Sequence, residues 1–145
     1  MPARSGQQYI DKLSENPAEV WIGGEKVEDV TTHPAFQNGV RSLATLYDLQ
    51  HNSNTKDTMT FESPTSGDPV GLSFIVPKTV DDLVKRRDMM TAWAWESCGM
   101  MARTPDFLNC AISGWAGSAE YFSANRSDSK DNVLRYHEYI RENDL

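Results

Sequence analysis

The stretch TVDDLVKRRDMMTAWAWESCGMMARTPDF, Thr79 to Phe107, decides how this chain is read. Thr79 and Asp82 have the spacing of a capping box, so a helix starts there. Val80, Leu83, Val84, Arg87, Met90, Ala94 and Trp95 follow at helical spacing and form the expected stripe. The run breaks at CGMMARTPDF, Cys98 to Phe107. Thr104 suits the cap of a following helix, and Pro105 suits its first position, where no N–H is needed. Asp106 suits the positive end of its dipole. A single Arg103 therefore stands at an elbow between two apolar helical patterns, with Trp95, Met100, Met101 and Phe107 close by in sequence. Two readings are open. One is a helix–loop–helix corner with a solvated arginine. The other is a guanidinium aimed into an apolar pocket, able to hold a phenolate, a carboxylate or a negatively charged oxygen species.

Downstream, Pro105 to about Phe122 reads as the next helix, with Leu108, Ala111, Ile112, Trp115 and Ala119 on one face. Gly114, Ala116 and Gly117 are small enough for a neighbour to approach closely. Ser127 to Asn143 reads as the last helix, through Val133, Leu134, Tyr136, Tyr139 and Ile140, and it stops without a cap. Upstream, Ser5 caps a short helix from Gln7 to Leu13 that ends at Asn16-Pro17. Val20 to Ile22 and Lys26-Val27, around Gly23-Gly24, read as a hairpin, with Trp21 or Val27 resting on a helix. A helix is expected to start at His33-Pro34 and carry Phe36, Val40, Leu43, Ala44, Tyr47 and Leu49. Met59 to Glu62 and Val70 to Val76 read as two strands around a Ser66-Gly67-Asp68 turn. The fold class is mainly α with small β-hairpins, as a single domain over residues 1–145. Three successive helices want more partners than these hairpins supply, so the chain is expected to be part of a longer protein, or to bury its apolar faces by self-association.

The bulk composition removes some classes of function. The 145 residues carry a formal net charge of -7, which argues against a nucleic-acid backbone or an anionic membrane surface as partner. Lys85, Arg86 and Arg87 stand among Asp81, Asp82 and Asp88, as on a solvated face. Cys98 and Cys110 have no metal or CxxC spacing and read as reduced, buried thiols; no metal is expected. No signal-peptide or membrane-spanning window occurs, so a cytoplasmic setting is the default expectation. Ser113 has no histidine near it in sequence, and His137, Glu138 and Arg141 share one helix without a metal-ligand pattern.

DVTTHPAFQN, the YDLQH that follows, SFIVPKTVDDLVKRR and CGMMARTPDF…GW together resemble the N-terminal region of the 4-hydroxyphenylacetate 3-hydroxylase family. These are oxygenase components of two-component flavin-dependent monooxygenases. The resemblance runs from about Gln8 to Leu145. It implies the helical N-terminal domain of an acyl-CoA-dehydrogenase-like fold. It also implies ortho-hydroxylation of a phenol with O2, through a flavin hydroperoxide formed on reduced FAD that a separate flavin reductase supplies. A homo-oligomer, dimer or tetramer, is implied for the complete enzyme. Arg103 matches the family arginine that faces the phenol, so it is the implied catalytic and substrate-binding residue. Phe107 falls where many members that act on 4-hydroxyphenylacetate carry a tyrosine whose hydroxyl holds the substrate. It remains a substrate-binding position, but it points to a larger or differently substituted phenol. The family's active-site histidine and most flavin contacts match positions after Leu145, so this chain alone is expected to be inactive. Two alternatives stand beside this reading. A 4-hydroxybutyryl-CoA dehydratase-like protein would need clustered cysteines for an iron–sulfur cluster, and Ala102 stands four residues after Cys98. A non-catalytic helical assembly module would use the abundant Trp and Met as contact surface.

Overall fold

The segment from Pro69 to Phe74 is the piece on which the helices are laid. The computed structural model describes residues 3–100, 105–124 and 126–145. Val70, Leu72, Ser73 and Phe74 are all buried, Val70 and Phe74 almost completely. Strand β4 (Pro69–Gly71) pairs antiparallel with β3 (Thr60–Glu62), matching Phe61 with Val70. The expected second strand to Val76 stops at Gly71 because its partner offers only three residues. Met59, the expected first residue of the Met59–Glu62 strand, instead closes a short helix, α3 (Lys56–Met59). Past Gly71 the chain tightens into a 3-10 turn, Leu72–Phe74, closed by the Ile75 N–H on the Leu72 carbonyl at 3.0 Å.

Ahead of this segment in the chain come α1 (Gly6–Glu15), the hairpin β1 (Val20–Ile22) and β2 (Glu25–Val27), and α2 (Gln37–Asp48). Ser5 caps α1 as expected, and Gln8 completes a capping box. Gly6 lets α1 touch α2: a Cβ there would lie 2.4 Å from the Ala44 carbonyl oxygen. Gly23 and Gly24 take φ of 60° and 87°, the positive values a two-residue hairpin needs. Val27 is buried, whereas Trp21 is exposed. Helix α2 starts at Gln37, three residues later than Pro34 suggests. Asp29 accepts from the Thr31 backbone and hydroxyl, and His33 Nδ1 accepts from the Ala35 N–H; these local bonds hold residues 29–36 in turns.

The core joins Leu46 of α2, Met59 of α3, Leu72, and Met89 and Trp93 of α4 (Val80–Glu96). The Thr79–Asp82 capping box forms as expected. Only part of the stripe turns inward: Met90 is half-buried against the core. Helix α4 buries Arg86, Met89 and Trp93, while Val80, Leu83 and Trp95 are 75%, 56% and 83% exposed. Arg86, expected on a solvated face, donates to the Ile75 carbonyl at 3.1 Å and sets this rotation together with Met89.

Helices α5 (Pro105–Gly117), α6 (Ala119–Ser123) and α7 (Ser129–Asn143) follow, so the expected run to Phe122 breaks at Ser118. They repeat the pattern of α4. Phe107, Leu108 and Trp115 of α5 and Tyr136 and Tyr139 of α7 are exposed. Helix α7 does have a C-terminal cap. Asp144 adopts φ 47°, and the Leu145 N–H reaches the Ile140 carbonyl. The Asp144 carboxylate accepts from the Arg4 backbone N–H at 2.7 Å and from Gln50 Nε2 at 3.0 Å, joining the end of α7 to the residues before α1 and to the turn after α2. Among the described residues no helix is long and apolar enough to cross a membrane.

These faces make opposite predictions for two apolar residues of one helix. Met89→Ala should cost about 2–5 kcal/mol in urea-induced unfolding, because it empties a packed site. Trp95→Ser should change stability by no more than about 0.5 kcal/mol.

Candidate functional site

Arg103, with Met101, Ala102 and Thr104, lies outside the described residues. Both flanks of its elbow are described. At the end of α4 the Ser97 N–H and hydroxyl both donate to the Trp93 carbonyl, at 2.8 and 2.6 Å. Cys98 and Gly99 take φ of 52° and 79°, and the Gly99 N–H reaches back to the Ala94 carbonyl. Helix α4 is thus stopped by a left-handed turn, and α5 starts at Pro105 as the sequence suggests.

Of the residues expected to wall an apolar pocket, Trp95, Met100 and Phe107 are 83%, 48% and 60% exposed. They stand open because α4 and α5 turn other faces to the core. Cys98 is exposed and Cys110 is half-buried, both free, so neither is the fully buried thiol expected; Cys98 falls beyond the helix that was to bury it. Beneath the turn is a cleft of about 520 Å³ between α2 (Gly39, Ser42, Leu43, Leu46) and Glu96, Ser97, Cys98 and Met100.

A second cluster unites residues that sequence spacing kept apart. Ser113 is almost fully buried, and its Oγ lies 3.4 Å from His137 Nε2. The histidine missing from its sequence neighbourhood is therefore supplied by the fold. The pair is not a nucleophile and base. Nε2 also lies 2.9 Å from the Phe74 carbonyl, which can only accept, so that nitrogen carries the proton. The Ser113 hydroxyl donates to the Ser73 carbonyl at 3.3 Å, and Asn109 Nδ2 donates to Ser73 Oγ at 3.0 Å. Burial pushes the His137 pKa down, helped by the positive charge of Arg141; the Phe74 contact and Glu138 oppose it. Ser73 and Asn109 were not anticipated. The one available signal was two polar residues, Asn109 and Ser113, four apart in an otherwise apolar helix.

His137, Glu138 and Arg141 line a larger cleft of about 700 Å³ with Phe61, Val76 and Leu134. Arg141 is engaged there, donating to Glu142 at 2.7 Å and to the Thr65 hydroxyl at 2.8 Å. Burial would raise the Glu142 pKa, but hydrogen bonds from Ser63, Ser66 and Arg141 outweigh it and hold the value at about 2. These contacts fasten the β3–β4 turn to α7. Of the small residues of α5, Gly117 lies against Val76, where a Cβ would meet its methyl at 3.2 Å; Gly114 is open. Among the described residues no group of three or more His, Cys, Asp or Glu could hold a metal ion.

Mainly helical with two small antiparallel hairpins, the chain has an acyl-CoA-dehydrogenase-like fold. Within that class, the chain belongs to the family described as 4-hydroxyphenylacetate 3-hydroxylase N terminal, whose profile matches residues 5–145. It is 45% identical over 145 residues to the 4-hydroxyphenylacetate 3-monooxygenase oxygenase component of Geobacillus sp. (strain PA-9), covering 100% of this chain and 29% of the relative. The solved oxygenase component of 4-hydroxyphenylacetate 3-monooxygenase complexed with FAD and 4-hydroxyphenylacetate superposes with a TM-score of 0.89 at 43% identity. That match covers 99% of this chain and 29% of the solved one. An archaeal 4-hydroxybutyryl-CoA dehydratase from N. maritimus shares the fold, with a TM-score of 0.81 at 19% identity over 99% of this chain and 28% of its own. The chain thus spans under a third of the length of the relatives it matches.

The buried His137 makes stability depend on pH. Its folded pKa lies below the ordinary 6.5, so the unfolded chain takes up a proton that the folded chain refuses. The contribution is fully present above pH 6.5 and is lost as pH falls from there through the folded value. Urea midpoints measured between pH 8 and 5 should fall over that window, and His137→Gln should flatten the decline.

Proposed function

We propose that this chain is the N-terminal domain of a longer oxygenase that hydroxylates a phenol ortho to its hydroxyl group. It would use O2 and reduced FAD delivered by a separate flavin reductase. The observation that carries this reading is the agreement, along nearly the whole chain, with the oxygenase component that binds FAD and 4-hydroxyphenylacetate. The outward apolar faces of α4, α5 and α7 support the place of the domain in something larger, since they leave Val80, Leu83, Trp95, Leu108 and Trp115 open. We place the complete enzyme in the cytoplasm as a homo-oligomer, dimer or tetramer.

The flavin is held mainly by the rest of the longer protein, and this domain alone is expected not to bind it tightly. Both clefts are open, and the exposed apolar side chains near the elbow supply at most one wall. Reduced FAD, when bound, supplies the electrons that activate O2. The part played by this chain is to hold the phenol. Arg103 is the catalytic and substrate-binding residue: its guanidinium donates to the phenol oxygen and stabilises the negative charge that develops there. Phe107 offers a ring face but no hydroxyl, so it binds the substrate by packing alone. That difference favours a phenol other than 4-hydroxyphenylacetate, larger or differently substituted. The dehydratase-like alternative has support from the shared fold alone.

Arg103→Ala in the longer oxygenase should lower the rate of phenol hydroxylation roughly 100-fold. Its circular dichroism and thermal midpoint should match the parent. Unchanged hydroxylation per O2 consumed would remove Arg103 from the mechanism.

A further inference from the structure

Helix α5 is built the wrong way round for a helix held by apolar packing. Its buried face carries Asn109 and Ser113, 4% and 1% exposed, while Phe107, Leu108 and Trp115 face outward. Both polar side chains bind one residue. Asn109 donates to the Ser73 hydroxyl and Ser113 to the Ser73 carbonyl. His137 secures the next carbonyl, that of Phe74. Apolar contacts tolerate a graded slide of one helix along its neighbour; these bonds do not. Moving α5 by one residue would shift Asn109 by about 1.5 Å along the axis and turn it by about 100°, which breaks both contacts. Stability alone does not require this arrangement, since well-packed apolar side chains of similar volume serve as well or better than buried polar ones.

Phe107 lies two residues before Asn109 and so about 200° around the helix, on the opposite face. Whatever fixes Asn109 fixes the height and rotation of the Phe107 ring. We infer that Asn109 and Ser73 form a register pin that positions Phe107 against the substrate phenol, making them specificity-determining positioning residues outside the substrate pocket. This inference rests on the phenol-hydroxylase reading above. The pin acts through geometry: it touches no substrate, and its loss leaves α5 helical but free to shift the Phe107 ring.

A double-mutant cycle in the longer oxygenase tests the pin, with steady-state hydroxylation of a panel of para-substituted phenols as readout. Asn109→Leu and Ser73→Ala should each raise KM for the preferred phenol roughly tenfold. They should weaken the discrimination among phenols while kcat changes little; because each leaves a buried polar group without its partner, the thermal midpoint should fall by a few degrees. Ser73→Thr, which keeps the hydroxyl, should restore KM. In a Phe107→Ala background Asn109→Leu should have no further effect on KM. Equal effects in both backgrounds, or no change in KM with Phe107 present, would overturn the pin. Absence of phenol turnover by the unsubstituted enzyme would instead overturn the underlying reading, and the pin with it.

Discussion

Helices α4, α5 and α7 are placed by the segment Val70 to Ile75. Its backbone leaves the β ladder at Gly71 because β3 has no further residues to pair with. The carbonyls freed by that departure need partners in a water-excluded place. Arg86 answers the Ile75 carbonyl, His137 that of Phe74 and Ser113 that of Ser73. Three side chains from three helices thus bind three consecutive carbonyls. Their polar character fixes which face of α4, α5 and α7 turns inward.

The outward faces follow from this. Once Arg86, Met89 and Trp93 are turned to the core, Val80, Leu83 and Trp95 must point away. The same holds for Phe107, Leu108 and Trp115 on α5. A domain that spends its polar side chains inside and leaves aromatic ones outside is poorly suited to stand alone in water. It presents an apolar face backed by the core, as the proposed oxygenase site needs to keep water out. Asp144 joins the Arg4 backbone and Gln50, so the end of α7 is tied to the residues before α1 and to the turn after α2. Beside it Tyr47, stacked on Tyr9 and donated to by Arg4, has its pKa pushed up to about 12, chiefly by burial.

The parts of the fold that depend on neighbouring residues were legible in the sequence. The Ser5 and Thr79 caps, the Gly23-Gly24 turn, the Pro105 start and the mainly helical class all appear where local chemistry puts them. What long-range contacts decide was not legible. Periodicity identified an apolar stripe on α4 but not which face turns inward, because nothing in the helix announces that Ile75 will offer a carbonyl to Arg86. The late start of α2 has a local cause, Asp29 and His33 holding the turns before it, outweighed in the sequence by Pro34. Of the site, the elbow boundaries could be placed, but the exposure of Phe107 could not, because the rotation of α5 that turns it outward is set by distant partners; the Ser73–Asn109–Ser113–His137 cluster joins residues up to 64 positions apart and has no sequence signature beyond one polar pair.

The phenol-hydroxylase reading is tested most directly by product analysis. The longer oxygenase carrying this sequence, and residues 1–145 alone, would be mixed with enzymatically reduced FAD, O2 and a set of para-substituted phenols, and catechols measured by chromatography. The expected result is catechol from the longer protein, with 4-hydroxyphenylacetate not the best substrate, and none from the short chain. Catechol from the short chain alone, or no hydroxylated product from the longer one with any phenol, would contradict it.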